Sequence, residues 1–516
     1  MNEEERSYQR GGSTVTVRRL GIDTRQEPVI YLRRDSAVCR AEGFEAQTRV
    51  EVCRDGRTIV ATLNMVEPDV GNGTLIQSGE AGLSEVAWRR LDAETGAAVR
   101  VRHADPVSSL GYVRAKVYGH RLTDENFRAI CRDIVDGEWA DVHIAAFLAA
   151  CGGERLDGDE VASLSRAMRD VGETLDWGRH PVMDKHCVGG LPGNRTTPIV
   201  VSIVAANGLC IPKTSSRAIT SPAGTADTMA VLTRVNLTQE EIREVVEAHG
   251  GCFVWGGRAN LSPADEILNR VERSLDLDSE GQMVASVISK KAAAGSSDVL
   301  IDIPVGRTAK VRSEKAADSL SELFEGVADG LGMSLRVVRT DGEQPVGRGI
   351  GPALEARDVL AVLHQDEHAP ADLAQRSTLL AGELLEMGGA CESGEGGTLA
   401  QETLRSGTAL EKFRAICHAQ GGLREPPTAS YQVPIEARQD GVVARIDNRR
   451  LARVAKLAGA PEDAAAGLDL HVRLGDTVAA GDPLFTIHAD SEGEREYALD
   501  YLAEEEQHII SMEESA

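Results

Sequence analysis

The chain has 516 residues, 42% of them hydrophobic and 27% charged, with a formal net charge of −25. That length exceeds the size at which a single hydrophobic core stops growing, so several domains are expected. The acidic balance excludes a general nucleic-acid binder, whose affinity comes from clustered Lys and Arg, and an aromatic content of 3% leaves few platforms for stacking bases. No apolar run approaches the roughly eighteen residues of a membrane span. The opening Met1-Asn2-Glu3-Glu4-Glu5-Arg6 is acidic where a secretory signal would be basic and then apolar, so a cytoplasmic location is expected. The nine cysteines stand singly with no Cys-x-x-Cys pair, which supports neither a disulfide framework nor a thiolate zinc site.

In chain order, the runs Thr14–Val17, Pro28–Leu32 and Thr58–Leu63 are short and β-rich, with turn residues between them. They predict a β-rich amino-terminal domain over 1–105. From Thr123, which with Asp124 and Glu125 can cap a helix, apolar residues recur at helical spacing through Phe127, Ile130, Ile134, Ile144, Phe147 and Leu148. A helical segment over 106–180 is expected, and 263–294 reads as helical again. The Gly-rich turns around the apolar run Ile199–Ala206, and the β-branched Asp298–Ile303, point to an α/β domain over 181–262 that continues over 295–425. The Gly- and Glu-rich stretch 389–406 reads as exposed. From 426 to 516, β runs alternate with Gly-Asp turns such as Gly475-Asp476 and Gly481-Asp482, predicting a β-rich α+β domain, and the acidic residues after Ala503 read as frayed.

The chemistry concentrates in two loops. In Asp184-Lys185-His186-Cys187-Val188-Gly189-Gly190-Leu191-Pro192-Gly193-Asn194-Arg195-Thr196-Thr197, glycines let a turn present several N–H groups to one anion, while Lys185 adds charge and Thr196 a hydroxyl. The same logic repeats from Lys213 to Thr225. Neither loop is a P-loop, because Asn194 stands where the second glycine belongs and the Lys-Ser/Thr end is missing. Two such loops can close around one phosphate.

These residues resemble the thymidine/pyrimidine-nucleoside phosphorylase family, through Lys185-His186-x-x-Gly189-Gly190, Lys213-x-Ser215 and Gly224-Thr225. Within it, Lys213-Thr214-Ser215-Ser216-Arg217-Ala218-Ile219-Thr220-Ser221-x-Ala223-Gly224-Thr225-Ala226-Asp227-Thr228-Met229 and Asp341-Gly342-x-Gln344-Pro345-Val346-Gly347-x-Gly349-Ile350-Gly351-Pro352-Ala353-Leu354-Glu355 are similar to the AMP phosphorylase branch. The resemblance implies a two-lobed core, an all-α lobe facing an α/β domain across a cleft, and a homodimer or larger homo-oligomer. It implies that Lys185, Cys187, Thr196, Ser215 and Thr225 bind phosphate, with Cys187 a weaker donor than the serine many members carry. Gly190, Ser216, Arg217, Ala218, Ile219, Thr220 and Ser221 would line the nucleotide site. Ser286 and Lys290 would contact the base, Asp278 would donate the proton, and Lys310 would receive a 5′-phosphate. Where the nucleoside-specific branch presents an Arg to the pyrimidine, this chain has Val271, with Arg270 and Arg273 nearby.

The reading put first is phosphorolysis of a nucleoside 5′-monophosphate of the AMP or CMP type to free base and ribose 1,5-bisphosphate. The alternative is a thymidine or pyrimidine nucleoside phosphorylase releasing base and (deoxy)ribose 1-phosphate. Inorganic phosphate is the expected co-substrate, with no cofactor, metal, membrane or nucleic-acid partner. An anthranilate phosphoribosyltransferase-like enzyme would need an acidic magnesium site, and no adjacent acidic pair accompanies Asp227. The Gly-Asp turns of the last domain resemble those of biotinyl and lipoyl carriers but lack the hairpin-tip lysine. His364-Gln365-Asp366-Glu367-His368 fits a zinc pattern that polar stretches match by chance. Lys290 and Lys291, taken without the resemblance, equally suit a solvated helix face.

Overall fold

The computed structural model describes residues 12–44, 49–68, 75–218, 221–257, 261–275 and 279–513. The chain forms two compact units that divide between Ala150 and Cys151. Among the described residues, no helix is long and apolar enough to cross a membrane.

In the first unit, β1 (Ser13–Arg19), β2 (Val29–Arg33), β3 (Arg49–Arg54), β4 (Arg57–Val66), β5 (Glu80–Leu83) and β6 (Ala98–His103) close into a barrel in the order β1-β5-β2-β4-β3-β6. Alternation places Val15, Val17, Ile30, Leu32, Val50 and Val52 inside. Asp55-Gly56, both at positive φ, form the two-residue turn that joins β3 to β4. Thr123 caps the helix Asp124–Val135 through a reciprocal pair of bonds with Asn126, and the apolar stripe of that helix, Phe127, Ile130, Cys131 and Ile134, is buried.

The second unit is built on parallel strands. β10 (Asp298–Val305) lies between β11 (Ser334–Asp341) and β7 (Met183–Cys187), and β8 (Ile211–Ser215) pairs with β9 (Gly251–Trp255). A parallel bridge between Val182 and Cys210 stitches β7 to β8. The order is therefore β11-β10-β7-β8-β9: the chain winds outward from β7 and then returns to its other side as β10. Ligands of open α/β sheets bind beyond the carboxyl ends of the strands at such a reversal. The apolar run after the first Gly-rich loop is the helix Thr197–Ala206, buried on nearly every side. Helix Gly158–Asp170 packs on helix Glu280–Ala293 so closely that a Cβ on Gly281 would stand 3.1 Å from Val161.

Two expectations are corrected. The 389–406 stretch contains the helix Gly396–Arg405, with Ala400, Thr403 and Leu404 buried, because Gly396 allows it to lie against Gly382 of a neighbouring helix. Beyond Ala503 the described residues continue the helix Glu492–Ile509 and then form β18 (Ile510–Glu513), held by buried Leu502, Ile509 and Ile510.

The carboxyl-terminal sheets are β12-β15-β17-β13 and β16-β14-β18, made of β12 (Gly349–Ile350), β13 (Tyr431–Glu436), β14 (Gly441–Ile446), β15 (Gly467–Leu470), β16 (Thr477–Val478), β17 (Pro483–Ala489) and β18. β12 comes from the α/β segment and pairs with β15, so the core lends a strand to the terminal domain.

Candidate active site

β7 runs through the middle of the sheet and yet reads Met-Asp-Lys-His-Cys, and charge buried there must be paired. Its faces alternate. On one, the fully buried Asp184 accepts from Lys213 Nζ at 3.0 Å, Lys291 Nζ at 2.7 Å and Ser296 Oγ at 3.3 Å. On the other, Lys185 Nζ donates to Thr196 Oγ1 at 2.7 Å and stands 3.7 Å from Asp302 of β10. Asp302 also accepts from Asn194 Nδ2 at 3.2 Å and Thr340 Oγ1 at 2.6 Å, and the same Asn194 amide donates to Cys187 Sγ at 3.3 Å.

Gly189, Gly190 and Gly193 all take positive φ, which folds the first loop back so that Thr196 immediately precedes the helix Thr197–Ala206, its hydroxyl turned to Lys185 instead of capping the helix. A helix start beside a lysine is suited to an anion. Arg195 links this loop to the second: it pairs with Glu355 at 2.6 Å and donates to Thr225 Oγ1 and Ala223 O, each at 2.8 Å.

The second loop is tied to its own following helix. Asp227 accepts from Arg217 at 2.9 Å, Ala218 N at 2.6 Å and Gly224 N at 3.0 Å, and a Cβ on Gly224 would lie 2.7 Å from Ala218 N and from Ser216 O. Its carboxylate is thus engaged in shaping the loop. Ser221 closes onto Ala223 O, and Arg217 lies over the Trp255 ring at 5.3 Å. Ser215 Oγ is buried with no hydrogen-bond partner among the described residues, and Ser216 O accepts from Ala226 N, beside Thr225. Ile219 and Thr220 lie outside the described residues.

Ser286 and Lys290 share a helix face as their spacing predicts: Lys290 Nζ donates to Ser286 Oγ and to Asp265 Oδ2, both at 2.9 Å. Lys291 is buried, so this helix end is not a solvated face. Val271 is buried, while Asp278 lies outside the described residues. Lys310 is brought against the first loop, its backbone N only 2.4 Å from where a Cβ on Gly190 would be. His364 Nε2 meets the Arg414 guanidinium at 3.0 Å, and among the described residues no group of three or more His, Cys, Asp or Glu is placed to hold a metal ion.

Three family models match the chain: a glycosyl transferase helical bundle domain over 111–172, a glycosyl transferase α/β domain over 179–410 and the pyrimidine nucleoside phosphorylase carboxyl-terminal domain over 442–507. A protein of Polaromonas sp. named "Putative thymidine phosphorylase" is 60% identical over 97% of both chains. The chain belongs to the thymidine/pyrimidine-nucleoside phosphorylase family. A relative from Hahella chejuensis with the same name is 55% identical over 97% of this chain and 98% of its own. Anthranilate phosphoribosyltransferase from Thermus thermophilus superposes with a TM-score of 0.50 at 22% identity, covering 60% of this chain and 98% of that one, a likeness of fold alone. The chain is accordingly a pentosyltransferase with the two-lobed fold of this family.

For this phosphorylase-family site the electrostatics are uneven. Burial lowers the Lys185 pKa against the pull of Asp302. Burial, reinforced by Lys291, Lys213, Lys290 and Lys185, holds His186 well below the ordinary histidine range, so its ring stays neutral. Burial, with Asp302 adding to it, pushes the Cys187 thiol up to about 12, leaving it a neutral, weak donor. Burial opposes the charge of Asp184, but Lys213 and Lys291 outweigh it and keep the carboxyl below its usual range. Sequence reasoning missed Arg195, Asn194, Asp265 and Asp302. Arg195 stood in plain view beside Thr196, but its partners come from segments far along the chain.

Proposed function

We propose that this protein cleaves the N-glycosidic bond of a pyrimidine nucleoside of the thymidine type with inorganic phosphate, releasing the base and a (deoxy)ribose 1-phosphate. The observation that carries this reading is the joining of the two Gly-rich loops by Arg195 beside the buried Lys185–Thr196 pair. Lys185, Thr196, Ser215 and Thr225 hold the phosphate, whose oxygen attacks the anomeric carbon as the bond to the base breaks. The base leaves with the electron pair, and the Lys290 ammonium and Ser286 hydroxyl offer donors to its oxygens. Asp278 donates a proton to the departing base. No cofactor is required, and the enzyme works in the cytoplasm as an assembly of identical subunits.

The names of the relatives favour this nucleoside reading over the monophosphate reading put first from the sequence. One observation keeps the second reading in play: Lys310, a cation suited to a 5′-phosphate, packs on Gly190 of the phosphate loop. Phosphate-dependent base release from thymidine, uridine, dTMP, AMP, CMP and UMP tests both. Turnover of nucleosides ahead of monophosphates is expected. The reverse order restores the AMP-type reading, and release from none of them overturns phosphorolysis itself.

A further inference from the structure

The carboxyl-terminal domain contacts the turn after β10 and the segment after β11. Asn448, wholly buried, is the first residue of the helix Asn448–Leu457, whose start is capped by Asp447. Its backbone N donates to Thr308 Oγ1 at 3.2 Å, and its Nδ2 donates to Thr308 Oγ1 at 3.0 Å and Gly342 O at 2.9 Å. Thr308 lies in the tight turn that leaves β10 and returns at Val311, closed by Gly306 N donating to Val311 O at 3.0 Å. Lys310 is on that turn.

The turn is hemmed in on both sides. A Cβ on Gly306 would lie 2.3 Å from the Gly342 carbonyl carbon, and the Lys310 backbone already meets Gly190 at the limit of contact. A few paces away, Leu474 N donates to Gln344 Oε1 at 2.9 Å and Arg473 to Pro345 O at 3.0 Å, while Val346 O lies 2.2 Å from the Cβ position of Gly193. Closely packed backbone of this kind transmits a displacement instead of absorbing it. A buried residue whose backbone N and side-chain amide both donate to Thr308, while the amide also donates to Gly342 O beside the turn, fixes the turn's position more narrowly than apolar packing would.

We propose that Asn448 is a positioning residue: it fixes the Thr308 turn and thereby the placement of Lys310 over Gly190, so that the carboxyl-terminal domain helps set substrate affinity. This rests on the second reading of the function, in which Gly190 and Lys310 line the site of a nucleoside 5′-monophosphate. The test uses the full-length enzyme with Thr308→Val, Thr308→Ser, Lys310→Ala and the Thr308→Val/Lys310→Ala double variant, measuring kcat, both KM values and the melting temperature.

Thr308→Val is expected to raise KM for the nucleoside monophosphate about tenfold with a smaller change in kcat, the size of effect expected when one hydrogen bond from a charged donor is weakened. Thr308→Ser, which keeps the hydroxyl, restores the parent value, and the double variant is no worse than Lys310→Ala. A Thr308→Val enzyme that melts earlier but keeps its KM overturns the proposal while leaving Lys310 at the substrate if Lys310→Ala raises KM. If Lys310→Ala leaves KM unchanged, the reading of Lys310 falls and the proposal falls with it.

Discussion

Replacing Arg195 separates what holds the site together from what binds phosphate. In Arg195→Met, the Glu355 carboxylate, whose side chain is 2% exposed, keeps, among the described residues, Thr228 Oγ1 at 3.2 Å and Gly351 N at 3.3 Å. Breaking a buried ion pair from one side typically costs about 3–5 kcal/mol, because a charge is left without compensation. Removing both ends in Arg195→Met/Glu355→Gln is expected to recover all but about 1–2 kcal/mol. Phosphate affinity should behave differently. The bonds from Arg195 to Thr225 and Ala223 are lost in both variants; of these only the one to Thr225 orients a phosphate-binding hydroxyl, and a hydrogen bond from a charged donor contributes about 1.5–3 kcal/mol. A rise in phosphate KM of roughly 10–100-fold should therefore persist in the double variant. The assay is the melting temperature alongside initial rates at varied phosphate. Recovery of phosphate KM together with stability would refute the bridging role, and an unchanged melting temperature in the single variant would refute the energetics.

Asp184→Asn leaves Lys213 and Lys291 buried without their carboxylate and is expected to destabilise by about 3–5 kcal/mol, more than Lys291→Met, which leaves Asp184 paired with Lys213; denaturant midpoints rank them. Because the Asp184 carboxyl is held below its unfolded value, its stabilisation is present above about pH 4 and lost as acid titrates through the lower folded value. His186, kept neutral by burial and by surrounding lysines, should contribute no inflection to kcat/KM between about pH 5.5 and 8. A limb near pH 6.5 that disappears in His186→Gln would show that the ring titrates in the working range. Cys187→Ser exchanges a neutral thiol for a better donor and should lower phosphate KM about 2–5-fold, so a rise in KM would count against a phosphate contact at this position.

The loops were legible because their chemistry is local. Gly189, Gly190 and Gly193 with Lys185 and Thr196 announce an anion site within a dozen or so residues, and each glycine has the backbone conformation its presence suggests. Partnerships were not legible where the second group arrives from another strand or helix: Asp302 for Lys185, Lys291 for Asp184, Glu355 for Arg195 and Asp265 for Lys290. The two local misreadings share a cause. Acidic residues outnumber apolar ones after Ala503, and glycines dominate before Ala400, yet Leu502, Ile509, Ile510, Ala400 and Leu404 suffice to anchor those segments once a packed surface exists to receive them. Composition weighs such residues by number, whereas packing weighs them by position.

The amino-terminal barrel closes only because β1 lies between β5 on one side and β6 on the other. A closed sheet has no rim of unpaired N–H and C=O groups on which another chain can build. Trimming the chain past Arg19 would bare two raw edges at once, so what looks like harmless shortening would turn a self-contained unit into a template for its own aggregation.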